Sequence, residues 1–185
     1  SLVASDLGAL LLFDPNNLRY VTSTAIGTWE RDKNIRFALL FREDDPILWD
    51  FGSAATHHQL YCPWFPESSW RAWVPPMRGA MPDATGVPDA MAEMLYQELR
   101  ERGLENDPIG MDVPDITTLL ALQRKGIEVA DSQPVMLEAR KLKTADELAL
   151  LDHAAGMADA AYEEIYRLLR PGVKENDIVA AAMRV

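Results

Sequence analysis

Few side chains in this sequence are of a type and spacing to do chemistry: the adjacent imidazoles His57 and His58, the single cysteine Cys62, and the carboxylates Asp44 and Asp45. Two histidines can hold a metal or relay a proton. Neighbours on a helix, however, point ~100° apart, and metal-binding helices use i and i+4 spacing instead. The pair is therefore read as solvated or loop-facing. His153 falls off the apolar stripe of its own segment and is expected to be exposed. Cys62 has no evident base beside it to make a thiolate, so an inert, small apolar role is expected. Asp44 and Asp45 lie in a turn before Pro46, which favours solvation over general acid–base work. No glycine-rich phosphate loop of either common form and no G-x-S-x-G nucleophile turn occurs. No catalytic residue and no metal-ligand set is expected in this chain.

Composition narrows the classes further. The chain has 185 residues, 48% of them hydrophobic, which is ample for a packed core. A net charge of −11 opposes a nucleic-acid partner, which needs a basic face. One cysteine forbids an internal disulfide and suits a reducing compartment, so a cytoplasmic location is expected. No run approaches the ~20 apolar residues of a membrane span, and no signal-peptide pattern opens the sequence.

The elements that must position any site follow from periodicity. Residues 8–13 form a continuous apolar run, the mark of a strand buried on both faces. A short helix or turn is expected over 16–22. Residues 35–41 and 46–51 read as two strands of a hairpin with an acidic turn. Trp49 and Phe51 share one face of the second strand, and Leu48 and Asp50 the other. Ser53 is a plausible cap for a helix over 54–60. Residues 61–82 are dense in proline and carry Trp64, Phe65, Trp70 and Trp73. They predict stiff, extended chain with an edge strand over 69–74. Helices over 88–102 and 114–125, and strands over 108–112 and 127–130, complete an α/β domain with a mixed sheet flanked by helices.

The firmest pattern lies over 144–172. Thr144 and Glu147 make a capping box. Leu148, Leu151, Ala155, Ala158, Tyr162, Ile165 and Leu169 then fall on one stripe of a long helix, which Pro171 and Gly172 stop. Residues 138–143 read as a charged connector into this helix. A second helix starts after Lys174, and the sequence stops inside it, which suggests a truncated polypeptide.

Around this helix the sequence resembles the creatinase/prolidase/aminopeptidase P family, the pita-bread metallopeptidases. In that family a linker R-x-x-K-[ST]-x-x-E-[IL] opens the long helix, and P-G-[VM]-[ST]-E-x-[DE]-[IV] follows it. Arg140, Lys143, Thr144, Glu147, Leu148, Pro171, Gly172, Val173 and Ile178 match; Lys174 stands where Ser or Thr is usual, and Asn176 follows Glu175. Near the start, Asn17, Leu18, Tyr20, Val21 and Thr22 match the family's N-[IL]-x-Y-[LV]-[ST]-G, with Ser23 in place of glycine.

The resemblance implies a creatinase/prolidase N-terminal-like domain over 1–137, then a linker and the first helices of a truncated pita-bread catalytic domain over 138–185. It also implies that the two divalent metal ions (Mn, Co, Zn or Fe) of a parent enzyme, and their ligands, lie downstream. The chain alone would then have no peptidase activity. Its role would be dimerisation, as a homodimer, and capping of the active site of an Xaa-Pro dipeptidase or aminopeptidase that cleaves proline-containing peptides. By analogy, Arg31 could clamp a substrate carboxylate with Trp29 as an apolar wall, and Trp64, Phe65, Trp70 and Trp73 could form an interface. A creatinase-like or dimethylsulfoniopropionate-lyase-like parent, or a metal-free binding module of the same fold, are the alternatives.

Overall fold

The computed structural model describes residues 2–26, 35–73, 82–113 and 115–185. The chain divides into two compact units, Ser1–Ala139 and Arg140–Val185. The first is built on a six-stranded mixed sheet of order β4-β3-β2-β1-β5-β6. Its strands are β1 (Ala9–Leu12), β2 (Phe37–Phe41), β3 (Ile47–Phe51), β4 (Trp70–Trp73), β5 (Ile109–Met111) and β6 (Val129–Asp131). β2 pairs antiparallel with both β1 and β3, while β4, β5 and β6 join parallel to their neighbours. The parallel joins need crossovers. Those crossovers carry helices α2 (Gly52–Tyr61), α3 (Val87–Glu101) and α4 (Ile116–Arg124).

The pleat sorts the strand side chains into two cores, because successive residues point to opposite faces. On one face Leu11, Phe37, Leu39 and Trp49 pack with Met91, Leu95 and Leu99 of α3 and with Leu122 of α4. On the other, Leu10, Leu12, Ala38 and Leu48 meet Leu18, Phe65, Trp70 and Met136. β1 is buried throughout, as its unbroken apolar run predicts. Each such leucine taken from water is worth ~1.5–3 kcal/mol, so the sheet is held from both sides.

Local chemistry sets the helix ends near the sheet's carboxyl edge. α1 (Pro15–Thr22) starts at Asp14, whose side chain accepts from the backbone N–H groups of Asn16 and Asn17, with Pro15 in the first turn. It ends at Ser23, which sits in the left-handed region at φ 55°. That is the position where the family pattern has glycine, and glycine bears this conformation without cost. Asp112, at the end of β5, ties the region together. Its Oδ1 accepts from the N–H groups of Phe13 (2.8 Å) and Val113 (2.7 Å). Its Oδ2 accepts from Asp14 N (3.0 Å) and Asn17 Nδ2 (3.0 Å).

Three local readings are corrected. α2 begins directly from β3 with Phe51 at the cap position and no side-chain cap, so Ser53 is not the cap. The charged connector is largely helical: α5 (Gln133–Lys141) runs through it, with only Met136 buried. The histidine pair is divided, as described below.

In the second unit, α6 (Ala145–Leu168) opens with both halves of the Thr144–Glu147 capping box. Its 24 residues span ~36 Å. It packs with α7 (Glu175–Ala182). The apolar stripe is nonetheless open: Leu148, Leu151, Tyr162 and Leu169 are 57%, 54%, 70% and 64% exposed. No helix among the described residues is long and apolar enough to cross a membrane.

Candidate functional site

The chemistry-bearing residues converge where β2, β3 and α2 meet the segment that follows α1. Strand β2 is entered at Arg36, and β3 carries Asp50 near its end. The antiparallel register sets Phe37 opposite Trp49, which brings the guanidinium of Arg36 to the Asp50 carboxylate. Arg36 Nη2 and Asp50 Oδ2 are 3.3 Å apart, with the Asp50 side chain 0% exposed. α2 then folds back over the sheet and delivers His58, two turns on. Its Nδ1 lies 2.8 Å from the same Asp50 oxygen, its Nε2 lies 3.3 Å from the carbonyl of Ala25, and its ring stacks on Trp70. The expectation of a solvated pair is thus wrong for His58, which is buried; His57 remains exposed. The ~100° between helical neighbours that defeats chelation also turns one ring inward when the other faces water.

The cluster continues into the segment after α1. Arg36 donates to the hydroxyl of Thr24, which pairs with the Thr22 hydroxyl at 2.7 Å. Thr22 Oγ1 donates in turn to Leu18 O (2.8 Å). Trp64 donates its indole N–H to Thr22 O (3.2 Å). These bonds grip the chain on both sides of residues 27–34: Thr22, Thr24 and Ala25 before them, and Arg36 after them. Trp29 and Arg31 themselves lie outside the described residues.

An aspartate–histidine pair invites a reading as part of a catalytic triad, and the geometry argues against it. A general base must present its second ring nitrogen to a nucleophile. Here Nε2 faces the Ala25 carbonyl. Burial pushes the Cys62 thiol up from its ordinary range, against a smaller downward pull from Arg36. The nearby sulfur is therefore kept as a thiol rather than activated. The cluster is suited to holding a segment in place. Among the described residues no group of three or more His, Cys, Asp or Glu could hold a metal ion, so the described side chains do not fit a dinuclear centre.

The aromatic residues also part company. Phe65, Trp70 and Trp73 are buried within the sheet's two cores. Trp64, by contrast, is 59% exposed. Sequence reasoning missed Arg36 and Asp50. The available signal was a carboxylate on the inward face of a buried strand, beside Leu48.

No family model matches the chain. It is 27% identical over 192 residues to a dimethylsulfoniopropionate lyase, DddP, from Roseobacter denitrificans, covering 96% of the chain and 41% of that protein. It thus spans about two fifths of the length of that curated relative. Among solved structures, an Xaa-Pro dipeptidase from Bacillus anthracis superposes with a TM-score of 0.64 at 17% identity, over 95% of this chain and 43% of the other. A prolidase from Thermococcus sibiricus gives 0.64 at 16%, over 96% and 44%. In fold, the chain resembles the N-terminal domain and following helices of the creatinase/prolidase/aminopeptidase P, or pita-bread, family.

Proposed function

We propose that this chain is the N-terminal, non-catalytic part of a dinuclear-metal pita-bread enzyme, serving in dimerisation and in capping the active site. The fold likeness over 95% of the chain, matched to only 43% of the dipeptidase, carries the reading. Two features support it. The open apolar stripe of α6 is the kind of face that a further domain covers. The Arg36–Asp50–His58 cluster holds the ends of the segment that bears Trp29 and Arg31. In this reading Arg31 meets a substrate carboxylate as a bidentate clamp, Trp29 walls the pocket, and Trp64 contributes to the subunit interface. The metal ions, of the divalent Mn, Co, Zn or Fe class, and their ligands belong to the remainder of the longer protein.

The substrate class has two readings. The solved peptidases favour cleavage of Xaa-Pro peptides by a cytoplasmic hydrolase. The higher sequence identity to the lyase, 27% against 17%, favours a small sulfonium acid as substrate. The test is an activity panel on the complete protein, with Xaa-Pro dipeptides and dimethylsulfoniopropionate, each with Mn, Co, Zn and Fe. Metal-dependent turnover of either substrate by the long protein and none by this chain is expected, with Arg31→Ala raising KM. Turnover by the 185-residue chain alone would refute the non-catalytic assignment. A long protein inert toward the whole panel would point instead to a metal-free binding module.

A further inference from the structure

His58 faces two groups that can only accept. The Asp50 carboxylate lies at Nδ1 (2.8 Å) and the Ala25 carbonyl at Nε2 (3.3 Å). A neutral imidazole has one N–H and one lone pair. Either tautomer would therefore aim a lone pair at an acceptor oxygen. Only the imidazolium donates to both. We infer that His58 is a positioning residue held as an imidazolium, whose two N–H groups tie the backbone at Ala25 to strand β3.

The surroundings agree with a shared charge. Asp50 Oδ2 takes both Arg36 Nη2 and His58 Nδ1, while Asp50 Oδ1 accepts from Phe51 N at 3.0 Å. Among the described residues, the ring is approached by Asp50 of β3, by Trp70 of β4, by His57 of its own helix and by the carbonyl of Ala25. Arg36 reaches it through Asp50, and Cys62, whose N–H donates to the His58 carbonyl, stays a neutral thiol. The one carboxylate in this set sits at Nδ1, opposite the carbonyl, so the ring is a bridge with a charged end and a backbone end. The tie holds while the ring carries both protons, and removing one frees the carbonyl. Its functional weight rests on the capping reading above, because the tied backbone leads into the segment with Trp29 and Arg31. The inference itself can be tested without any enzyme activity.

The measurement is solution NMR on the whole chain, following the ring nitrogens of His58 and the carbonyl carbon of Ala25 from about pH 5 to about pH 9, across the ordinary imidazole range. At the acid end both ring nitrogens should show protonated shifts, and any loss of a proton should move the Ala25 carbonyl signal in step with His58. His58→Asn keeps a donor toward Asp50 but cannot reach Ala25. It should shift the Ala25 carbonyl at acid pH and abolish its pH dependence. A ring that keeps both protons throughout also supports the tie. A ring with a single proton at the acid end overturns it, as does an Ala25 signal that ignores both the titration and the substitution. Should His58→Asn fail to fold, the wild-type titration alone decides.

Discussion

Replacing Asp112 by asparagine probes how far the first unit depends on one carboxylate. The change keeps the volume and removes one acceptor oxygen. Each Asp112 oxygen takes two donors: Phe13 N and Val113 N at one, Asp14 N and Asn17 Nδ2 at the other. Whichever way the amide turns, its NH2 must face two N–H groups. Each stranded donor costs about 1–3 kcal/mol, so the expected loss is about 4 kcal/mol against a typical domain stability of 5–15 kcal/mol. With a urea slope of ~2 kcal/mol/M, the midpoint should fall by about 2 M. The assay is urea unfolding of the whole chain, read by far-ultraviolet circular dichroism and tryptophan fluorescence. Asp131→Asn is the control. Asp131 is exposed and its Oδ1 accepts from Gln133 N, a bond that an asparagine amide oxygen can also accept. A midpoint shift below about 0.5 M for Asp112→Asn, with an unchanged slope, would show that the four bonds carry little net stability.

Other outcomes follow from the same structure. Ser23→Gly relieves a left-handed conformation (φ 55°) and should stabilise the first unit by ~0.5–1 kcal/mol, read in the same urea titration. Asp50→Asn should cost about 3–5 kcal/mol by leaving the buried Arg36 and His58 without their shared anion. Thr144→Ala removes half of the capping box and should cost ~1 kcal/mol of helix stability, seen as lost helical dichroism on heating. Cys62 has a raised thiol pKa from burial, so its contribution to stability is complete below the unfolded thiol's pKa and is lost as pH rises through the higher folded value. A denaturation series above neutrality should show that decline, and Cys62→Ala should flatten it.

Much of the fold was legible because local rules and tertiary packing agree. The unbroken apolar run of β1, the alternation in β3 and the Thr144–Glu147 box each report their setting within a few residues. α5 escaped notice because its nine residues bury only Met136, and a helix with one inward residue has no periodicity to read. The Arg36–Asp50–His58 cluster could not be assembled without strand pairing, since 14 positions separate Arg36 from Asp50 in the sequence. Even so, Asp50 on the inward face with Leu48 was a visible oddity that called for a cationic partner. Ser23 shows a signal left unread in the sequence: the glycine of the family pattern falls at a position whose backbone is left-handed, φ 55°.

The bond from Phe13 to Asp112 closes a loop of 99 residues, and β1 meets β5 across a similar span. During synthesis the first strand can pair early with β2, yet its other edge must wait for β5 to leave the ribosome. At roughly 5–20 residues per second that wait is about 5–20 s. For that interval a leucine-rich edge is open to chance pairing with other nascent chains. The nascent chain is thus most exposed to misassembly along β1, before the aspartate that fastens that strand has been made.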